Sequence, residues 1–93
     1  MSKSTFVGAN MVSIDMLRVV AKDCNFSKAR FVKGDLREGD FENSNFNEAS
    51  LYEANCERAC LNSCSMIDCN VERANFVNMR GVLNIQIGPR DLD

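Results

Sequence analysis

A large apolar side chain recurs at every fifth residue of this chain. Within "NFNEASLYEANCERACL", residues 45–61, the recurring residues are Phe46, Leu51, Cys56 and Leu61. A helix repeats its apolar face about every 3.6 residues and a strand about every 2, so neither element accounts for a period of five. The chain must therefore adopt a shape that turns one large side chain inward in each five-residue unit.

The five-residue frame continues without insertion along most of the chain, and it includes all six phenylalanines. A small residue precedes most of the large ones by two positions, and these small positions hold Ala9, Ala29, Ala49, Ala54, Ala59 and Ala74. Ile14, Val19 and Met79 mark looser first and last parts of the frame. Residues two apart share a face of an extended backbone, whereas residues three apart lie on opposite faces. Keeping the small and the large residue both inside requires a bend in every unit, always in the same sense, so the chain must wind into a coil.

The charges indicate how many units complete one turn of this coil. Residues one full turn apart are stacked neighbours, where opposite charges are favourable. Between positions i and i+20 the chain has nine opposite pairs, such as Arg18/Glu38 and Glu53/Arg73, and two like pairs. Between positions i and i+15 the counts are two opposite and nine like. The sequence therefore predicts four sides of five residues each.

Several units also resemble a known family. "ANCER", "ANFVN", "ARFVK", "GDLRE", "GDFEN", "SNFNE" and "ASLYE" are similar to the pattern of pentapeptide repeat proteins: a small residue, Asp or Asn, Leu or Phe, then two variable residues. The resemblance implies an all-β fold, a right-handed four-sided (quadrilateral) parallel β-helix. With four five-residue sides to each coil, so that position i+20 stacks on position i, this chain would form about four coils.

We expect one domain over residues 1–93, with repeats over about 4–83 and a C-terminal strand or cap over 84–93. In that last segment Leu83, Ile85 and Ile87 alternate with polar residues, and Gly88-Pro89 ends the strand pattern. Burial of the large residues should be the main stabilising contribution, at about 1.5 to 3 kcal/mol for each side chain. The predicted core ladders are Phe6, Phe26, Phe46 and Met66; Met11, Phe31, Leu51 and Val71; Met16, Leu36, Cys56 and Phe76; and, with small residues at its ends, Phe41 and Leu61.

Composition argues against several classes of protein. The chain has no apolar run long enough to span a membrane, and "MSKSTFVGAN" lacks the apolar core of a signal peptide. The formal net charge is −2, and no basic patch for nucleic acid is visible. We therefore expect a cytoplasmic protein that neither enters a membrane nor binds nucleic acid directly.

The five cysteines could be read as a disulfide framework, a metal site or a nucleophile. The frame places Cys24, Cys56, Cys64 and Cys69 inward and only Cys60 outward, which favours a role as small buried hydrophobes. Their spacings do not form the paired knuckles of a zinc site, and the chain contains no histidine to act as ligand or base. Convex coils also offer no pocket. We expect no catalytic, metal or cofactor site, and a reactive or regulatory role for Cys60 stays open.

Two functions from different classes remain. The first is a non-enzymatic structural or protein-interaction module, with Val12, Val32 and Tyr52 stacked on one face as a possible partner surface. The alternative explanation of these residues is β-propensity alone. The second function follows from the resemblance, because some pentapeptide repeat proteins mimic DNA and bind DNA gyrase, protecting it from quinolones. Alternating charge and a short rod count against mimicry in this chain.

The two ends of such a rod each expose a coil without a neighbour, which invites edge pairing. The C-terminal strand could cover the last coil or pair with a second molecule. The N-terminus has no helix-like segment to cover the first coil. An end-to-end homodimer is therefore a further expectation.

Overall fold

A computed structural model of the protein describes residues 2–81 and 85–86. Parallel bridges join residues that are 20 apart, from Thr5 with Asn25 to Cys60 with Arg80. Each bridge residue directly precedes an inward position of the frame, which holds a large residue except at Ala21 and Gly81. We call residues 2–21, 22–41, 42–61 and 62–81 the first to fourth coil. Backbone hydrogen bonds hold neighbouring coils together, as where the N–H of Phe26 donates to the carbonyl of Asn45 at 2.7 Å.

The chain bends in a four-residue β-turn within each unit. The carbonyl of the large inward residue accepts a hydrogen bond from the N–H of the small residue three positions later, as in Ala29 to Phe26 at 3.0 Å. The third turn residue has a positive φ of 56° to 61° at fifteen non-glycine positions of the described chain, among them Lys28 and Glu53. This left-handed conformation is uncommon for such residues. Because it recurs every five residues, the backbone turns in the same sense at each corner.

The inward side chains are buried in the middle of the stack and partly exposed at its ends. Eleven of the fourteen predicted ladder residues are buried: Met11, Met16, Phe26, Phe31, Leu36, Phe41, Phe46, Leu51, Cys56, Leu61 and Met66. Phe6, Val71 and Phe76 are half-buried; they lie in the first and fourth coils, where the described residues place a neighbouring coil on one side only. Phe26 stacks between Phe6 and Phe46, with ring centroids 5.3 and 5.1 Å away.

The two short strands meet at the C-terminal end of the described chain. Strand β1, Met66–Ile67, pairs in parallel with strand β2, Ile85–Gln86. Met66 lies opposite Ile85, 19 residues later, whereas the bridges between the earlier coils join residues 20 apart. The pairing register is therefore shifted by one residue at this end. The rest of the predicted cap, residue 84 and residues 87–93, lies outside the described residues. Within the described chain, no helix is long and apolar enough to cross a membrane.

Candidate functional site

The predicted partner surface is a single column on one side of the coil. Val12 is exposed, Val32 and Tyr52 are half-buried, and Glu72 continues the column as an exposed residue. All four are the second residue of their turn. The guanidinium of Arg73 lies over the Tyr52 ring at 6.0 Å from its centroid. This cation–π contact holds the ring in place and covers part of its face.

Most carboxylate and amide side chains at the bridge positions have a structural task. The side-chain oxygen of the Asn or Asp accepts a hydrogen bond from the N–H two residues later, as from Ser27 to Asn25 at 3.0 Å. This Asx-turn supports the corner that follows it. The same bond forms at nine bridge residues: Asn10, Asp15, Asn25, Asp35, Asp40, Asn45, Asn55, Asn70 and Asn75. The Asp or Asn of the repeat is thereby engaged with its own turn.

The charged columns pair in part as the 20-residue spacing suggests. Ion pairs join Arg18 to Glu38 at 3.3 Å, Lys22 to Glu42 at 3.6 Å and Arg73 to Glu53 at 3.8 Å. Their side chains are all substantially exposed to solvent, so each pair adds little to the stability of the fold. The pKa of Lys22 is raised, first by Asp40 and then by Glu42. These charged columns are thus solvent-exposed ion pairs between neighbouring coils.

The carboxylate of Asp35 forms an ion pair within its own corner. The guanidinium of Arg37 donates two hydrogen bonds of 2.8 Å to the carboxylate of Asp35, two residues earlier in the same corner. The side-chain hydrogen bond from Arg37 lowers the pKa of Asp35 below its ordinary value. Asp35 is thus an ionised acceptor, which is unsuited to the role of a general acid.

The cysteines divide into buried thiols and one half-buried thiol. Cys24, Cys56, Cys64 and Cys69 are buried and Cys60 is half-buried. Burial raises the pKa of Cys56 and of Cys69 to about 12, and that of Cys64 to about 11. A thiol reacts as its thiolate, so these three groups are inert at neutral pH. Among the described residues no cluster of three or more His, Cys, Asp or Glu side chains is placed to hold a metal ion.

Two side chains of one inward column bridge the turn of the coil before them. The Ser44 hydroxyl donates to the Ala21 carbonyl at 2.8 Å and accepts from the N–H of Cys24 at 3.1 Å. The Cys64 thiol donates to the Phe41 carbonyl at 2.9 Å in the same way. In the described chain Ser44 is the one buried residue of polar type, and this contact explains why the interior tolerates it.

The expectation that convex coils offer no pocket is wrong at one corner. A shallow polar groove of about 510 Å³ runs along the stack beside the Ser44 column. Its walls include Lys3, Asp23, Asn43 and Ser63, and Thr5, Asn25, Asn45 and Ser65. The signal was present in the sequence, because both sets are 20-residue columns of polar side chains. Some of these side chains are hydrogen-bonded to each other, as where Asn43 donates to Asp23, and others bond within their own turn, as where Asn25 accepts from the N–H of Ser27.

Comparison with known proteins relates this geometry to other structures. The fold resembles that of HetL, a pentapeptide repeat protein involved in heterocyst differentiation regulation from the cyanobacterium Nostoc sp. strain PCC 7120, at a TM-score of 0.77 and 23% identity. The match covers 91% of this chain and 33% of HetL, so this chain spans about a third of the length of that protein. A pentapeptide repeat protein from the cyanobacterium Cyanothece 51142, Rfr23, matches at a TM-score of 0.44 and 22% identity over 81% of this chain and 65% of its own. No curated protein matches the chain significantly.

The family assignment depends on the repeats themselves. The family model for pentapeptide repeats matches residues 35–66 with eight copies. The same bridges and turns continue on both sides of that segment, from Thr5 to Arg80. The similarity to HetL shows the fold, which in this family is a right-handed quadrilateral β-helix. The chain thus contains pentapeptide repeats over residues 35–66 and resembles the pentapeptide repeat proteins in its fold.

Proposed function

We propose that this protein is a non-enzymatic protein-interaction module of the cytoplasm that binds a protein partner through the column Val12, Val32 and Tyr52. The observation that carries the proposal is the position of these residues. They lie in turns, whereas the inter-coil bridges form at other positions. A preference for strands therefore gives no reason for three stacked apolar side chains at this place. Contact with a partner does give one, because such a column can bury apolar area on a rigid face.

The proposal of a non-enzymatic role is supported by the use of the polar groups. Pentapeptide repeat proteins are generally structural repeat modules. In this chain the bridge carboxylates accept hydrogen bonds from their own turns, and three of the thiols have strongly raised pKa values. Free cysteines also fit a reducing compartment such as the cytoplasm. The proposed module needs no cofactor.

We take the whole module to be a rod of about four coils, each made of four five-residue sides, and the bridges between residues 20 apart support this size. The coils give the partner surface its spacing. Neighbouring side chains in one column are about 4.8 Å apart along the rod, which is the separation of paired strands. An extended rigid surface of this type is the usual binding element of repeat proteins.

The alternative function, DNA mimicry toward gyrase, requires at least one strongly negative face. Stacking the five-residue segments 20 apart divides residues 3–81 into four faces, and none has more than one excess charge of either sign. Lys28 lies above Gly8 and below Glu48 on one face, for example, so the sign changes along the column. The surface thus favours the interaction module over the mimic.

Affinity capture from an extract of the native cell tests the proposal. The bait is the wild-type chain, a column variant with Val32→Lys and Tyr52→Ala, or a control with Val77→Lys on the adjacent face. We expect a partner that is retained by the wild type and by the control and is lost with the column variant. Retention of the same proteins by all three baits contradicts the proposed surface, and retention of gyrase or topoisomerase favours the alternative.

A further inference from the structure

The open edge of the first coil has a specific hydrogen-bonding pattern. In the second coil both backbone groups of a bridge residue point to the first coil: Arg30 donates to the carbonyl of Ala9, and its own carbonyl accepts from Met11. The bridge residues of the first coil have the same geometry. Asn10 and Asp15 therefore direct both N–H and C=O out of the N-terminal end, where no backbone group of the described chain meets them.

Apolar side chains are concentrated around the same edge. Six large hydrophobic residues of the described chain are exposed, and four of them, Val7, Val12, Leu17 and Val20, lie in the first coil. An unpaired edge with exposed apolar residues is a template for pairing with another chain. The opposite end differs, because β2 already covers Met66 and Ile67 of the fourth coil. Head-to-tail stacking, in which the first coil of one molecule continues the fourth coil of another, would have to displace β2 from Met66 and Ile67.

We propose that two copies of this chain associate through their first coils as a two-fold symmetric dimer. The end of a helical coil is a ramp that rises by one strand spacing per turn. The open edge therefore has a step near residues 2–3, where the start of the first coil lies beside the start of the second coil. A two-fold axis perpendicular to the rod preserves the hand of the helix. When this axis passes through the step, the open edges of the two copies slope in the same direction and can meet along their length. The axis then also passes through the opposite corner, which holds Val12 and Ser13.

This arrangement specifies which residues pair. Asn10 lies opposite Asp15 of the second copy, and Asp15 opposite Asn10 of the second copy. A bridge residue that presents both N–H and C=O at one edge can exchange both hydrogen bonds with such a partner in an antiparallel pair. Val12 meets Val12 of the second copy on the axis, and Val7 comes near Leu17 of the second copy. The contact is isologous, as in most dimers.

Charge and area agree with this contact. Asp15 faces the neutral amide of Asn10 and not a second carboxylate, so no carboxylates oppose each other at these two positions. The two Lys3 side chains come together where the axis passes near residues 2–3, and their repulsion weakens the contact. The two shorter dimensions of the molecule, 26 and 24 Å, limit a flat end face to roughly 600 Å² per chain and about 1,200 Å² in total, which is the lower end of the range for specific interfaces. The dimer should therefore dissociate on dilution.

Sedimentation equilibrium over a range of concentrations tests the proposal on the full chain. We expect the wild type to form a dimer reversibly. Val12→Glu and Val12→Lys should each be monomeric at the concentration where the wild type is dimeric, because like charges meet on the axis. An equimolar mixture of the two variants should form a heterodimer, which would also show that both variants are folded.

Val32→Glu is the matched control, because Val32 lies one coil away in the same column. It should leave the dimer intact, whereas a dimer formed side by side through the column would be lost. A wild type that is monomeric at every concentration overturns the proposal. Dimeric Val12→Glu, or a mixture of variants that stays monomeric, overturns it as well. Failure of the partner-capture experiment has no bearing on these results, because that experiment changes residues outside the first coil.

Discussion

Replacing Phe26 by leucine is the most direct test of how the rod is held together. The Phe26 side chain is fully buried and contacts four other rings, those of Phe6, Phe31, Phe41 and Phe46, at centroid distances of 5.1 to 6.0 Å. Phe6 occupies the same column one coil earlier, is half-buried and has one recorded ring contact, with Phe26. The two positions offer the same chemistry with different numbers of neighbours, so Phe6→Leu is the control.

The expected magnitudes follow from those contacts. An aromatic pair contributes about 0.5 to 1.5 kcal/mol beyond the area that it buries. Leucine keeps much of the apolar area, so Phe26→Leu should lower the free energy of unfolding by about 2 to 4 kcal/mol, and Phe6→Leu by about 1 kcal/mol. A difference of about 2 kcal/mol corresponds to roughly 8 to 16 °C in Tm for a domain of this size.

Urea unfolding followed by circular dichroism, together with a thermal scan, measures both variants. The variants should show similar slopes with urea, because they expose similar surface when they unfold. Equal losses for Phe26→Leu and Phe6→Leu, within about 0.5 kcal/mol, would refute the reasoning. That result would mean that stacking in the middle of the rod adds nothing to burial, and that stability is shared evenly among the coils.

Three further outcomes are expected from urea unfolding. Ser44→Ala should destabilise the fold by about 1 to 3 kcal/mol because it removes both bonds to the preceding turn, and Ser44→Cys should recover part of the loss; equal losses would contradict this. Lys28→Val should cost about 1 to 2 kcal/mol relative to Lys28→Gly, since its φ is 61°, whereas Ser27→Val at the preceding turn position should be tolerated, and equal effects of the two valines would contradict the turn geometry. The folded-state pKa of Cys56 and Cys69 is about 12, above the ordinary value of 9.0. The contribution of these buried neutral thiols to the free energy of unfolding is therefore fully present below pH 9 and is lost as the pH rises toward 12. The loss is roughly 1.4 kcal/mol per pH unit for each thiol, and Cys69→Ala should reduce the measured slope by that amount; an unchanged slope would contradict it.

The five-residue frame could be derived from the chain alone because its signal is carried by inward residues. Phe26, Phe31 and Phe46 can avoid water only if the backbone bends between them, and charge pairs such as Arg18/Glu38 indicate that position i+20 stacks on position i. The family model and the resemblance to HetL agree with that interpretation. Whether a residue faces the core or the solvent could thus be predicted from the size and polarity of its side chain, which the sequence gives directly.

The positive φ at each corner could not be predicted from the sequence, because the residue types at these positions do not indicate it. Glycine or asparagine at a corner would indicate a positive φ, but Lys28, Glu48 and Arg58 also have φ values of 60° or 61°. Inter-coil hydrogen bonds on both sides of each corner enforce this conformation on residues that do not prefer it. The shift to an offset of 19 at Met66 and Ile85 is hidden for a similar reason, since it depends on backbone pairing and not on residue type.

The division of tasks within a repeat explains where a function can reside. The two inward residues fill the core, the bridge residue supports its corner with an Asx bond, and the third turn residue must accept a positive φ. The second turn residue alone has no such task. In this chain that position carries an apolar residue at Val7, Val12, Leu17, Val32, Tyr52, Ile67 and Val77. Solvation favours polar residues at a free position, so these apolar side chains point to contacts with other molecules. The proposed partner surface and the proposed dimer edge both use this turn position, with Val32 and Tyr52 in the first and Val12 in both.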